Sequence, residues 1–480
     1  MQIYNTLSRS LEEFKPIEKN KIRFYHCGPT VYWVQHIGNM RAMVWADFIR
    51  RSLVYLGYDV DFVRNYTDVG HLVSDEDTGE DKMEKGAKRE GLTPDEIASK
   101  YIGIFNQDIA LLNTLPPNHT PRATEYIGQM IDMIKVLVEK KHAYITDFAI
   151  YFDVSTFLKY NELNKQKMEL NKQGLGKGTI DDSQKKHFAD FALWFFKKGV
   201  HKNALQTWES PWGVGFPGWH IECSAMAKQI LGNTIDIKMG GVDHISVHHT
   251  NEIAQSESAN RVPYCHYWIH NEMLVENNSK MAKSSGKVAT LEEVIKKGFD
   301  PLDLRYFFMS AHYRSKQNFT WEALKAAREG YINLKKQITH FTRPSVIPTK
   351  VGLPCKGIQN KVDPVSLHGM TKEYSNRFKK YISNDFQIPQ ALALLWEVIK
   401  SDLLPNDKLD LILDFDNVFG LKLNDVKEDI IPQEIIDLAD KRLIAKQQQD
   451  YIKADELRQL IEEKGYRIED MLNSFKVKRL

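Results

Sequence analysis

The chain has 480 residues, 42% of them apolar and 27% charged, proportions that exclude a collagenous, coiled-coil or largely disordered protein and predict roughly three domains at about 150 residues each. Lysine and arginine (65) nearly balance aspartate and glutamate (63), for a net charge of +2, so bulk charge does not identify a nucleic-acid partner, although a local basic face can. Four cysteines exclude a disulfide framework and favour an intracellular setting; no run nears the ~18 apolar residues of a membrane span, and the opening MQIYNTLSRSLEEF lacks the basic flank and apolar stretch of a secretory signal.

Residues 21–27, KIRFYHC, read as a strand stopped by Gly28-Pro29. Ala42, Trp45, Ala46, Ile49 and Leu53 recur at helical spacing over 37–56, with Gly57 as the stop. DVDFVRNYT (59–67) reads as a second strand, and strand, helix and strand at this pitch form a βαβ unit with a parallel sheet. Residues 70–92 read as a polar loop and a frayed helix start, followed by a helix over 95–113 and the breakers Pro116, Pro117 and Pro121. A helix (125–142), short strands around 143–152 and a Lys/Gln/Asn-rich stretch (159–175) then suggest an insertion. The βα rhythm resumes with helix 219–231, strand TIDIKM, helix 247–259 and strand YWIHNEML. Beyond Trp321 the pattern is helical, over 321–341, 369–402, 407–415, 431–447 and 451–464, with a proline-bearing linker at 343–367. The expected fold is a Rossmann-like parallel-sheet catalytic domain interrupted by an insertion, an all-α bundle, and a small C-terminal domain. Ligands of such a sheet bind at the carboxyl ends of its strands, which points to the residues after 27, after 67, at 238–249 and after 275.

Four patterns lie there. His36-Ile37-Gly38-Asn39 opens a helix, whose unpaired N–H groups suit phosphate; Gly38 permits close approach of a ligand. Lys280-Met281-Ala282-Lys283-Ser284 places two lysines three apart in a small-residue loop, where they could meet the charge of phosphoryl or nucleotidyl transfer. Gly240-Gly241-Val242-Asp243 follows a strand, with an aspartate placed to accept from ribose hydroxyls. Cys27, Cys223, and the helical pair His248 and Glu252 make a plausible Zn²⁺ set of two thiolates, an imidazole and a carboxylate. Each pattern also has an ordinary reading: a capped helix, a solvated basic loop, a turn, and two buried thiols beside a helix pair. His244 and His249 leave the choice of histidine open, and Cys265 and Cys355 read as structural.

Together these residues resemble the cysteinyl-tRNA synthetase family of the class I aminoacyl-tRNA synthetases. The resemblance rests on C-G-P-T-V-Y (27–32), G-W-H-I-E-C-S-A-M (218–226), N-E-I-A-Q-S (251–256) and K-M-A-K-S (280–284). It implies zinc on Cys27, Cys223, His248 and Glu252, selecting the cysteine thiolate. It implies ATP, with Mg²⁺, on His36, Gly38, Asn39, Gly241, Asp243, Lys280 and Lys283, of which His36, Asn39, Lys280 and Lys283 stabilise the phosphates. Gly28, Thr30, Thr67 and Trp219 fall near the amino acid. The implied product is cysteinyl-tRNA(Cys), formed through cysteinyl-adenylate, and the implied enzyme is a cytoplasmic monomer with no membrane partner. The implied domains are 1–118 and 201–275 for the two catalytic halves, 119–200 for the insertion, 276–320 for the lysine loop and stem contact, 321–425 for the bundle and 426–480 for anticodon binding. Lys441, Arg442, Lys446, Lys453 and the tail at 476–479 are candidate phosphate contacts.

The sequence departs from the family where Asn39 replaces a histidine, Ala282 a serine, Lys238 a histidine and Met239 a glycine, and where residues 71–80 insert. Two further readings are a cysteine ligase acting on an amino-sugar, against which 426–480 argues, and a non-catalytic zinc-containing RNA-binding protein.

Overall fold

The computed structural model describes residues 1–70, 82–165, 182–276, 279–280, 289–342, 364–425, 432–471 and 474–479. The chain divides into two compact units, Met1–Gln337 with Pro344–Leu423, and Ile338–Arg343 with Asn424–Leu480. The first is built on a parallel sheet of β1 (Lys21–His26), β2 (Asp59–Arg64), β3 (Ile235–Gly241) and β4 (Cys265–Asn271), in the order β4-β3-β1-β2. The register pairs His26 with Arg64 and Met239, and Asn271 with Gly241, so the carboxyl ends line up. Helix α1 (Ile37–Tyr55) joins β1 to β2, α2 (Trp219–Leu231) precedes β3, and α3 (His248–Asn260) joins β3 to β4. Successive strands step outward from the central β1/β3 pair in opposite directions, and that is where such sheets open a ligand crevice.

The expected strand over 59–67 stops at Arg64. Tyr66 and Thr67 leave the ladder to bridge Arg122 and Thr30. A nine-residue helix, Lys82–Glu90, stands where a frayed start was expected, and the insert at 71–80 lies outside the described residues. The insertion carries a four-stranded antiparallel sheet of Ala143–Ile145, Ala149–Phe152, Phe191–Phe196 and Gly215–Pro217. Its last strand, Gly215–Pro217, lies beyond residue 200. Its third strand, FALWFF, is buried at all six positions, so it shows no alternation to read.

The helix expected over 369–402 is two helices, Pro364–Ile382 and Ile388–Lys400. They are separated at Asp385 and Phe386, both with positive φ, a backbone region that ends a right-handed helix. Asp385 there accepts from Tyr313 Oη (2.6 Å) and Arg314 Nε (2.8 Å). The same turn clips the start of the chain. Gln2 N donates to Ser383 O (2.8 Å), Asp385 N to Gln2 O (2.9 Å) and Tyr4 N to Asp385 Oδ1 (3.0 Å). A second tie runs through the fully buried Arg305. It pairs with Asp47 on α1 at 2.6 Å and donates to the carbonyls of Phe419 (2.6 Å) and Leu112 (2.9 Å).

The second unit holds helices Gln433–Gln447 and Tyr451–Glu463 and ends in an antiparallel pair, Tyr466–Met471 with Ser474–Arg479. The expectation of an all-helical C-terminal half is corrected by that hairpin. Arg442, expected to face phosphate, is buried and donates to both oxygens of Asp470 (2.6 and 3.1 Å); Lys446 meets the same carboxylate at 2.9 Å.

Candidate metal and nucleotide site

Cys27 follows β1, its amide donating to Met239 O of β3 (3.1 Å). Cys223 sits in mid α2, and His248 and Glu252 lie one turn apart at the start of α3. All four are buried, and their donor atoms lie within 4.8 Å of one another. His248 Nε2 is 3.0 Å from Glu252 Oε1, and Cys27 Sγ is 3.9 Å from the same oxygen. Two sulfurs, one nitrogen and one oxygen in a closed pocket are a donor set that suits Zn²⁺, and the partners behind them are in place. His248 Nδ1 meets His220 Nδ1 at 3.0 Å, and Trp219 stacks on the His248 ring at 4.3 Å between centroids. Glu252 Oε2 accepts from Lys238 Nζ (2.6 Å) and Tyr264 Oη (2.8 Å).

The histidine left open by the sequence separates here. His249 Nε2 is 3.4 Å from Cys27 Sγ, and with His244 it forms a second group of metal-capable side chains around Cys27. That group includes neither Cys223 nor a carboxylate. Cys265 is buried on β4, hydrogen-bonded to backbone carbonyls, and Cys355 lies outside the described residues.

The pocket's charges support one another. Burial would raise the Glu252 carboxyl, but Lys238 and His248 outweigh it and hold the group at about 2. Burial opposes charge on His248, yet Glu252 and Cys223 raise it to about 9. Lys238 is fully buried, but Cys27, Glu252 and Cys223 overcome that and push it above the ordinary lysine value. The Cys223 thiol is raised by its hydrogen bond with Cys27 and by burial. A divalent ion would displace the His248 proton, so its binding releases protons.

A cleft of about 180 Å³ opens beside this pocket, with Gly28, His36, Gly38, Asn39, Gly241 and Asp243 in its lining. His36 caps α1, its Nδ1 accepting from Asn39 N at 3.2 Å. A Cβ on Gly38 would stand 2.9 Å from that imidazole, so glycine lets the ring fold over the helix start. Asn39 Oδ1 is buried without a hydrogen-bond partner among the described residues. Lys280 lies in the short strand Ser279–Lys280. Lys283 and Ala282 lie outside the described residues.

Thr30 and Thr67 are joined as a bridge between the chains leaving β1 and β2, and Thr67 Oγ1 donates to Glu222 at 3.2 Å. Sequence reasoning assigned no role to Asn65, Lys238 or Tyr264. Asn65 Oδ1 accepts from Gly28 N at 2.9 Å, and a Cβ on Gly28 would sit 1.7 Å from Asn65 O, so only glycine fits. The signal for Lys238 was a lysine in mid-strand, where a charge needs a partner.

A parallel sheet split by an insertion, with a histidine-capped helix and a glycine–aspartate turn at its crevice, defines a class I aminoacyl-tRNA synthetase. The family model for the tRNA synthetases class I (C) catalytic domain matches residues 13–329. The fold is similar to that of Mycobacterium tuberculosis methionyl-tRNA synthetase bound by methionyl-adenylate, with a TM-score of 0.55 at 13% identity over 84% of this chain and 90% of that one. Curated relatives resolve the family. The chain is 41% identical to the cysteine--tRNA ligase of Treponema denticola over 100% of both chains, and 40% identical to cysteine--tRNA ligase 1 of Burkholderia lata over 98% of this chain and 95% of that. The Borrelia hermsii enzyme is 38% identical over 100% and 99%. The chain belongs to the cysteine--tRNA ligase family.

Proposed function

We infer that the chain carries out its family's reaction, the ATP-dependent ligation of L-cysteine to tRNA(Cys), with the following division of labour. The observation that carries this reading is the convergence of Cys27, Cys223, His248 and Glu252 from three separate segments on one buried point. Zinc held there would offer the substrate thiolate a soft partner that a serine hydroxyl cannot match. Trp219, Thr67, Thr30 and Gly28 shape the surroundings of the amino acid. The cysteine carboxylate attacks the α-phosphate of Mg²⁺-bound ATP in line, giving cysteinyl-adenylate and pyrophosphate. His36, Asn39, Lys280, Lys283 and the N-terminus of α1 meet the phosphate charge, and Asp243 and Gly241 receive the ribose. A hydroxyl of the terminal tRNA adenosine then attacks the adenylate carbonyl, releasing AMP. The lysine-loop region, 276–320, meets the tRNA stem, and residues 426–480 read the anticodon. The family resemblance suggests a monomer working in the cytoplasm; among the described residues no helix is long and apolar enough to cross a membrane.

The test is aminoacylation with purified tRNA(Cys), cysteine and ATP, paired with elemental analysis. The expected result is one zinc per chain and charging of tRNA with cysteine over serine. Pyrophosphate exchange without tRNA charging would instead support an amino-sugar acceptor, and absence of exchange the non-catalytic reading.

A further inference from the structure

Lys238 lies in mid β3 with no exposed surface. A buried ammonium is expensive unless it is paired, and here every neighbour addresses the charge. Its Nζ is 2.6 Å from Glu252 Oε2, 3.3 Å from Tyr264 Oη and 3.8 Å from the centroid of the Tyr25 ring. Tyr264 donates to the same Oε2 at 2.8 Å. The two oxygens of Glu252 therefore have separate partners. Oε2 is held by Lys238 and Tyr264, while Oε1 faces His248 Nε2 (3.0 Å) and Cys27 Sγ (3.9 Å).

This division bears on charge. Two thiolates and a carboxylate already outweigh a divalent ion by one negative charge, and a substrate thiolate adds another. Among buried groups, each such excess is costly. A single cation fixed behind the carboxylate removes one of them without competing for the ion, because an ammonium offers donors only.

We propose that Lys238 is the buried counter-charge that lets this pocket accept substrate cysteine as a thiolate, and that with Tyr264 it restricts Glu252 to presenting a single oxygen. Lys238 is thus a positioning and specificity-determining residue. The proposal rests on the reading of the four donors as the zinc site.

The test uses the full chain loaded with Co²⁺ in place of zinc, whose thiolate-to-cobalt absorption reports sulfur ligands directly. Wild-type protein should take one ion per chain and gain a charge-transfer band on titration with cysteine, but not with serine. Lys238→Met keeps the side-chain length and removes the charge. It should still take one ion per chain, while the cysteine needed for the band rises roughly 10–100-fold, the usual effect of losing a partner behind a metal ligand. KM for cysteine in pyrophosphate exchange should rise in parallel, with KM for ATP unchanged. Lys238→Arg should recover part of the loss, and Tyr264→Phe should show a smaller shift of the same kind. A wild-type-like cysteine titration of Lys238→Met would overturn the proposal. So would loss of the ion itself from that variant, which would make Lys238 part of ion retention, or an equal rise in KM for ATP, which would mark a general structural defect. Wild-type protein that binds no cobalt, or whose spectrum ignores cysteine, would remove the zinc reading and this inference with it.

Discussion

The donor pocket and the nucleotide cleft meet at the end of β1, yet they are built by opposite means. The pocket is made of buried side chains, each with a second partner: His248 on His220, Glu252 on Lys238 and Tyr264. The cleft is formed around a helix start capped by His36, with Gly28, Gly38, Gly240, Gly241 and Asp243 in its lining. A pocket that must tell a thiol from a hydroxyl needs fixed atoms of a chosen chemistry. A cleft that binds phosphate can rely on N–H groups that any sequence supplies. The departures fall on both sides. Asn39, in place of a histidine, lines the cleft, whereas Lys238, also in place of a histidine, stands behind Glu252 in the pocket.

Four substitutions would break or sharpen that contrast. Cys223→Ser removes a donor outright, so zinc content and cysteine activation should fall together, activation by more than the roughly 100-fold limit for partners behind a ligand. Elemental analysis beside pyrophosphate exchange checks it, and unchanged metal content with unchanged KM for cysteine would remove Cys223 from the set. With the role proposed for Lys283, Lys283→Ala should lower kcat for adenylate formation by about 100-fold and leave KM for ATP little altered. A change confined to ATP affinity in single-turnover assays would contradict this role.

Gly28→Ala forces a Cβ against Asn65 O. It should cost about 1–3 kcal/mol by urea denaturation and raise KM for cysteine more than KM for ATP. The smallest effect is expected at Asp108, a counterexample to Glu252. Burial, then the nearby Glu292, raises its carboxyl from 3.8 to about 6. Because the folded value lies above the unfolded one, the penalty is absent below the unfolded value and complete above the folded one. Asp108→Asn should therefore gain about 1 kcal/mol at about pH 7.5 after allowance for solvent screening, and the gain should shrink toward about pH 5. A pH-independent gain would remove the carboxyl as its cause.

The βαβ unit was legible because its elements show plain periodicity and end on glycine or proline, and the donors were legible because C-G-P-T and G-W-H-I-E-C are long matches. What escaped did so for physical reasons. FALWFF is apolar throughout, so its strand character had no period to show. The break between residues 382 and 388 depends on Asp385 taking bonds from Tyr313 and Arg314, which no local window contains. The terminal hairpin alternates in S-F-K-V-K-R but follows a strongly helical pair. Arg442 looked like a surface cation because its partner, Asp470, is 28 positions away. The Lys238 contact could not be read either, since its carboxylate partner belongs to the helix after its own strand.

The clip between Gln2–Tyr4 and Ser383–Asp385 sets an order on biosynthesis. Gln2 and Tyr4 meet Ser383 and Asp385 only after roughly four-fifths of this sequence has emerged, although domains otherwise fold in the order they are made. Until then the amide of Gln2 is left to water, and the Arg305 anchor to Phe419 O comes later still. A nascent chain stalled before residue 383 can form the parallel sheet and dock Asn5 and Thr6 against Trp268, but it cannot close the clip at Gln2 and Tyr4.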